Sequence, residues 1–316
     1  MPAPRLRTLK RPTILVTILW IRVNPDGRTL TKSEPKMKTF DAKGTLKGWS
    51  IEITPQETKT IGCFSSFLEE GTKVNVTNLP KTSVRDTLKA AEKLKHDGMN
   101  PIPHITARTI TDEDALARVV EKYANLEISE VLIIAGSKDQ AAGRFSSSAD
   151  LISSGVFEHF GIVNIGVAGH PEGSPDITQQ QLQDALDQKN YLAASRDLNI
   201  FLETQFCFDA QKIINWEKAI RDRGNSLPIR VGVAGPTKLL SLINFAIKAG
   251  VGPSLKFLIK ERDKLTKLVN SYDPTELICF LAPQFSPSAN TCFESIHFYA
   301  FGGFRKTAKF AQELFK

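Results

Sequence analysis

The sequence predicts an eight-stranded (β/α)8 barrel, and three observations carry that reading. Short apolar runs (SIEIT, KVNVT, IPHIT, VLIIAG, NIGVAGHPE, IFLETQF and IRVGVAGP) alternate with helical patterns, and strands interleaved with helices imply a parallel sheet. The strand ends fall near positions 53, 77, 107, 135, 169, 205, 234 and 300, and no GxGxxG follows the first strand, which removes the usual signature of an open dinucleotide-binding sheet. Polar residues recur where the runs end: Glu52, Thr77, His104, Gln205 and the stretch from Gly166 to Glu172. In a closed barrel the strand C-termini converge on one face, the face where such barrels keep their active sites. The chain therefore reads as an enzyme.

Residues 1–46 stand apart from this rhythm, with a basic opening, one short β-like run and a Lys/Pro/Thr-rich stretch through Pro35 and Lys38. They read as an N-terminal appendage, with an organelle presequence or an extension upstream of Met37 as alternatives; residues 47–316 form the barrel. Ser83 with Asp86, and Thr111 with Asp114, have the spacing of helix capping boxes. After the first of these, Val84, Leu88, Ala91 and Leu94 share one helical face and Gly98 is placed to end the helix. The last interval is longer and holds a helical pair, Pro236 to Ala249 and Pro253 to Val269, before the final HFYAF strand.

Composition narrows the function classes. The net charge of +7 is concentrated at the start: residues 1–50 carry eleven Lys/Arg against three Asp/Glu, leaving the other 266 residues at −1. A barrel surface built for a phosphate backbone is thus not expected, because that footprint needs cations clustered on the folded domain. Cys63, Cys207, Cys279 and Cys292 are scattered and include no CxxC pair, so neither a zinc site nor a disulfide framework is called for. Thr13 to Ile21 is apolar but far short of the ~20 residues of a membrane helix and lacks a clear small-residue cleavage site. The expected location is cytoplasmic, with no membrane and no nucleic-acid partner.

Glu52 lies in an otherwise apolar strand, where a charge is costly unless it is paired or functional. A salt bridge and a catalytic acid are both open to it. His104 is either a satisfied core histidine or a pocket group, and Gln205 offers a donor and an acceptor to a heterocycle edge. Phe206 and Phe208 suit packing, and a pocket aromatic could also stack on a ligand. Glu203 is unusual in a core strand, and no role follows for it from sequence.

Six segments occur in a fixed order: SIEITPQET, VTNLP followed by SVRD, PHITAR, SADLI, HPEGSPD and TQFCFD. From about Ser50 to Phe304 the chain resembles the methylenetetrahydrofolate reductase family, flavin-dependent TIM barrels that reduce the one-carbon unit on folate. The resemblance implies an FAD-dependent oxidoreductase interconverting 5,10-methylenetetrahydrofolate and 5-methyltetrahydrofolate, with NADH or NADPH as co-substrate and no metal. It makes Glu52 the general acid, since opening the folate five-membered ring needs a proton. It places Thr77, His104, Ala135, Gly136, Ser137 and Asp150 around the flavin, and His170, Ser174, Asp184 and Lys189 near its nucleotide portion. Gln205 and Phe208 would meet the folate. Folate is the expected small-molecule partner, alongside a possible homo-oligomer.

The chain also departs from the family. The fourth strand ends Ala135, Gly136, Ser137 where Arg-Gly-Asp is common, and Gly302, Gly303 and Arg305 surround the place of another family arginine. His170 stands where a Tyr is usual and Ser174 where a His is frequent. Losing the carboxylate at Ser137 would make reduced flavin easier to form. A folate-dependent methyltransferase on the same barrel, or a non-catalytic folate-binding paralogue, are the competing readings.

Overall fold

The fold is described from a computed structural model, which covers residue 46 and residues 48–79, 82–136, 140–175, 177–238, 242–243 and 271–315. Residues 1–45 of the appendage expected over 1–46, Ser137, and most of the helical pair expected between 236 and 269 lie outside the described residues.

Eight parallel strands close into a barrel: β1 (Trp49–Ile53), β2 (Lys73–Val76), β3 (Asn100–Thr106), β4 (Glu130–Ile134), β5 (Asn164–Gly169), β6 (Asn199–Thr204), β7 (Ile229–Ala234) and β10 (Phe293–Tyr299). Neighbours in the ring follow chain order, and β10 returns to pair with β1, placing Glu52 opposite Tyr299. Each strand end lies within one residue of the expected position.

The strands alternate, and the two faces differ in chemistry. Ile51, Ile53, Val74, Val76, Val131, Ile133, Val231, Val233, Ile296 and Phe298 are buried in the layer beneath the helices. β-Branched side chains fit this pleated surface, and burying each contributes roughly 1.5–3 kcal/mol. The helices close over them: α1 (Val84–His96), α2 (Glu113–Asn125), α3 (Ser148–Ser153), α4 (Val156–His159), α5 (Gln179–Ser195), α6 (Ala210–Arg221), α7 (Thr275–Leu281) and α8 (Phe304–Phe315). Phe304 meets Phe64 edge to face at 5.3 Å, and Phe315 reaches Trp49 at 6.2 Å, so α8 clamps the β1 seam. No described helix is long and apolar enough to cross a membrane.

Local signals mostly hold. Ser83 and Asp86 form the expected capping box, and Gly98, at φ +82°, ends α1 with Gly98 N–H donating to Lys95 and Met99 N–H donating to Leu94, the hydrogen-bond pattern that requires a left-handed residue. The buried face of α1 is Thr87, Ala90, Ala91 and Leu94, with Leu88 of the expected stripe packed partly buried against the core and Val84 half-buried at the first turn. The second helix start is shifted by one residue. Asp112, not Thr111, caps α2, its carboxylate accepting from Ala115 N–H at 2.7 Å while the Thr111 hydroxyl donates to it. A carboxylate at the positive end of the helix outcompetes a hydroxyl for that place.

The helix expected from Pro236 is corrected at its start. Thr237–Lys238 (β8) pair antiparallel with Ser271–Tyr272 (β9). The preceding Gly235 N–H is held by Tyr299 O at 2.9 Å, so tertiary pairing overrides local helix propensity there.

Candidate active site in the barrel lumen

Asn75 on β2 and Glu203 on β6 lie on well-separated strands of the ring, so a contact between them must cross the lumen. Asn75 Nδ2 donates to Glu203 Oε1 at 2.7 Å and approaches His104 Nε2 at 3.3 Å. On the other side, Glu203 Oε2 lies 3.6 Å from His297 Nδ1, which is bonded to the Ser50 hydroxyl at 2.8 Å. These side chains come from β1, β2, β3, β6 and β10 and form one polar layer inside the barrel. Above it stand Glu52 and Tyr299, neighbours in register, and the Tyr299 hydroxyl donates to Thr204 O at 3.0 Å.

The electrostatics follow from burial. Desolvation raises Glu52 to about 8, with the nearby carboxyls of Glu203 and Glu57 adding to the shift. Glu52 is half-buried, and among the described residues its carboxyl makes no hydrogen bond or ion pair. Desolvation likewise lifts Glu203 to about 8 against the pull of Arg230. Burial drives His104 down to about 3 and His297 well below the ordinary imidazole range, so both rings are neutral. With Asn75 donating, His104 Nε2 is an acceptor and the ring proton sits on Nδ1.

Several buried polar atoms around this layer have no hydrogen-bond partner among the described residues: Asn75 Oδ1, Thr77 Oγ1, Thr106 Oγ1, Glu203 Oε2 and His297 Nε2. Most buried polar groups in folded proteins are bonded. A cluster of exceptions at the strand ends is where bound water or ligand atoms would complete the bonding.

The family model for methylenetetrahydrofolate reductase matches residues 64–253. The chain belongs to the methylenetetrahydrofolate reductase family. Its function is accordingly of the methylenetetrahydrofolate reductase type, an oxidoreductase acting on folate. The matched residues include Thr77, His104, Glu203 and Gln205, whereas Glu52, His297 and Tyr299 lie outside them.

In this reductase-family barrel, the residues singled out from sequence fall into distinct groups. Glu52, Thr77 and His104 gather at the lumen, the Thr77 N–H donating to Ile53 O at 3.0 Å. Gln205, just past β6, turns its Oε1 back to accept from Phe206 N–H at 3.2 Å. Phe208 is buried in an aromatic cluster, 5.6 Å from Phe206 and 5.5 Å from Tyr272, with Phe206 in turn 5.4 Å from Tyr299. That cluster walls the same end of the barrel.

At the end of β5, Lys189 reaches in from α5 and donates to Ala168 O at 3.1 Å. Burial lowers Lys189 to about 8, and burial together with the Lys189 charge lowers His170 to about 4. Ser174 sits in the following turn, bridged through its backbone to Ile177. Asp184 is separate: it is on the exposed face of α5 and accepts from Gln180 at 2.8 Å. Asp150 is the third residue of α3, where its Oδ2 accepts from Ser146 N–H, Ser147 N–H and the Ser146 hydroxyl at 2.8–2.9 Å. Its charge is used to cap the helix.

Ala135 and Gly136 follow β4, and the Arg108 of PHITAR ties them down: Arg108 N–H donates to Ala135 O at 3.0 Å, its Nη1 to Gly136 O at 3.4 Å and its Nε to Ser146 O at 3.1 Å. Gly136 has φ +94°, and a Cβ there would collide with Thr106 Cγ2. Glycine is therefore required at this position even though its neighbours differ from the family's usual residues. Arg305 lies over the Phe67 ring at 5.1 Å.

Ser50, Asn75, Glu203, His297 and Tyr299 are the lumen residues that sequence reasoning did not assign. Their signal is a polar residue two positions from another in an apolar strand, as in SIE, NVT, ETQ and HFY, which marks one face of the pleat. The opposite, N-terminal end of the barrel is plugged differently. Lys73 and Arg230 both pair with Glu130, Arg230 also reaches Glu294 at 3.1 Å, and its guanidinium stacks 3.6 Å from the Phe201 ring centre. A cavity of about 800 Å³ opens at that end beside Lys73, Arg230 and Phe285. It opens at the start of β1, beside Trp49 and Ser50, rather than at the strand end that carries Glu52, and in barrels of this class the N-terminal end serves stability.

Proposed function

We propose that the protein is an FAD-dependent oxidoreductase interconverting 5,10-methylenetetrahydrofolate and 5-methyltetrahydrofolate, with NADH or NADPH as co-substrate. The observation that carries this reading is Glu52: a carboxyl at a strand C-terminus of a reductase-family barrel, without a partner among the described residues and raised to about 8. Such a group keeps its proton at neutral pH, as a general acid for this reaction must. Reduction of the methylene bridge adds one hydride and one proton. Glu52 gives the proton to the nitrogen that leaves the bridging carbon, and the resulting carboxylate is reprotonated from water.

The residues at this face fit a flavin. Thr77 and Thr106 hold buried hydroxyls without partners among the described residues, and neutral His104 offers a ring edge. Ala135 and Gly136 let a flat ring approach the backbone after β4, with Ser137 next in the chain. Lys189, with His170 and Ser174 in the turn after β5, supplies a cation for phosphate oxygens. Asp150 supports this site by holding the start of α3, and Asp184 meets the nucleotide portion only from the outer face of α5. FAD, when bound, would carry the hydride between the nicotinamide and the folate carbon. Gln205 presents an amide to the pterin edge once released from Phe206 N–H, and Phe208 with its ring neighbours walls the folate.

Reconstitution with FAD tests the reading. A yellow protein that is reduced by NADH or NADPH and reoxidised by 5,10-methylenetetrahydrofolate supports it. A colourless protein that still binds folate would replace it with the methyltransferase or the non-catalytic paralogue.

A further inference from the structure

Glu203 is the most unusual side chain of the lumen. It is 3% exposed, is the penultimate residue of its strand as Glu52 is of β1, and is surrounded asymmetrically. Its Oε1 accepts from Asn75 at 2.7 Å, and its Oε2 faces His297 at 3.6 Å. Glu52 receives no such bond from any described residue. The two carboxyls are linked through shared neighbours: Tyr299 is the register partner of Glu52, lies 4.8 Å from the His297 ring, and feels both carboxyls.

We propose that Glu203 is a positioning residue for Glu52: the two carboxyls form one coupled pair across the lumen, in which any negative charge settles on Glu203 and the proton stays on Glu52. The inference rests on the reading of Glu52 as the acid of the folate reaction.

The reason is the difference in hydrogen bonding. A carboxylate is stabilised by donors aimed at it, and Asn75 aims one at Glu203. Like charges facing one desolvated lumen resist double ionisation, so the pair loses its protons in two steps that belong to both groups. Once Glu203 is ionised, its charge opposes ionisation of Glu52, extending to higher pH the range over which Glu52 remains a competent acid.

Other groups around the lumen set the balance. β2 contributes Lys73 and Asn75, β3 His104, β4 Glu130, β7 Arg230, and β10 His297 and Tyr299, with Glu57 beside Glu52 on the β1 side; β5 presents Gly166 and Ala168. Both imidazoles are neutral. Arg230 is bound to Glu130 and Glu294, so its charge is shared at the barrel floor, and its attraction acts on Glu203 more than on Glu52. Deeper burial and the Glu130 charge work against an anion on Glu203, whereas the Asn75 donor, Arg230 and Lys73 favour it; Glu52 has none of these three and has Glu57 beside it.

The test is Glu203→Gln, which keeps the shape and the Asn75 contact but removes the charge. The alkaline fall of the methylene-folate reduction half-reaction should move to lower pH by about one unit, without a matching change in KM. A fall at the wild-type pH, at normal rate, overturns the proposal. Carboxyl-¹³C glutamate NMR of the whole protein supplies a readout independent of turnover. In wild type, two resonances should titrate together in two steps; in Glu52→Gln, the Glu203 resonance should titrate once, at lower pH. A Glu203 curve unmoved by Glu52→Gln overturns the coupling, even if Glu203→Gln fails to fold. If the NMR coupling is present and folate is never reduced, the assigned reaction fails while the pair stands.

Discussion

Asn75 and Glu203 are joined across the barrel lumen by a 2.7 Å hydrogen bond between strands that are not neighbours in the sheet. The bond gives Glu203 a donor where water is excluded and fixes the amide that His104 leans on. Replacing Asn75 with Leu removes that donor and leaves a buried acceptor unmatched. The expected cost is about 1–3 kcal/mol of stability, read by urea unfolding, and a variant as stable as wild type would show that Glu203 finds another donor.

Arg230 closes the opposite end. It pairs with buried Glu130, whose carboxyl burial alone would raise but which Arg230 and Lys73 hold below the usual carboxylate range. Arg230→Met should destabilise the fold by up to about 3 kcal/mol, because buried Glu130 is left with the partly exposed Lys73 alone to balance its charge. The paired change Arg230→Met with Glu130→Leu should recover much of that loss. Equal unfolding midpoints for the single and double variants would contradict this account.

Glu52→Gln preserves shape and hydrogen bonding but has no proton to deliver. Folate turnover should fall by roughly 10²-fold or more, while flavin reduction by NADH or NADPH continues. Stopped-flow measurement of the two half-reactions separates these effects, and equal losses in both would point to binding rather than proton transfer.

Stability should depend on pH with opposing contributions. Glu52 and Glu203 hold their protons in the fold to about 8 against an ordinary value of 4.5, so their contribution is full below 4.5 and is lost as pH rises toward 8. Each group contributes a slope of up to about 1.4 kcal/mol per pH unit. His104 and His170, at about 3 and 4 against 6.5, work in the other direction, and their contribution is lost as pH falls below 6.5. The two effects oppose each other between 4.5 and 6.5, which leaves a net decline from about 6.5 to 8. Thermal unfolding across this range should show it, and Glu203→Gln should flatten it; a wild-type Tm constant from 6.5 to 8 would refute the assignment.

The barrel was legible in the sequence because its signals are local. Alternation in SIEIT and KVNVT is a property of neighbouring residues, and a capping box such as Ser83 with Asp86 closes within one helical turn. Even the strand ends, with their polar residues at Glu52, Thr77 and His104, mark themselves by breaking an apolar run. Where a local signal was ambiguous, a longer-range bond decided. Thr237 pairs with Tyr272 instead of starting a helix, and Asp112 displaces Thr111 as a cap because its carboxylate meets the helix N-terminus better.

The lumen was not legible, since its order is set by closure. Ser50, Asn75, Glu203 and His297 are separated by up to 247 positions and become neighbours only when β10 docks on β1 and the ring completes. Sequence by itself determined that a carboxyl stands at the end of the first strand and that a glutamate interrupts the sixth. Only the tertiary structure decided which of the two has a donor and which has none. Burial raises the cost of charge on both groups, and from then on the few hydrogen bonds that the barrel geometry permits help determine where charge can rest.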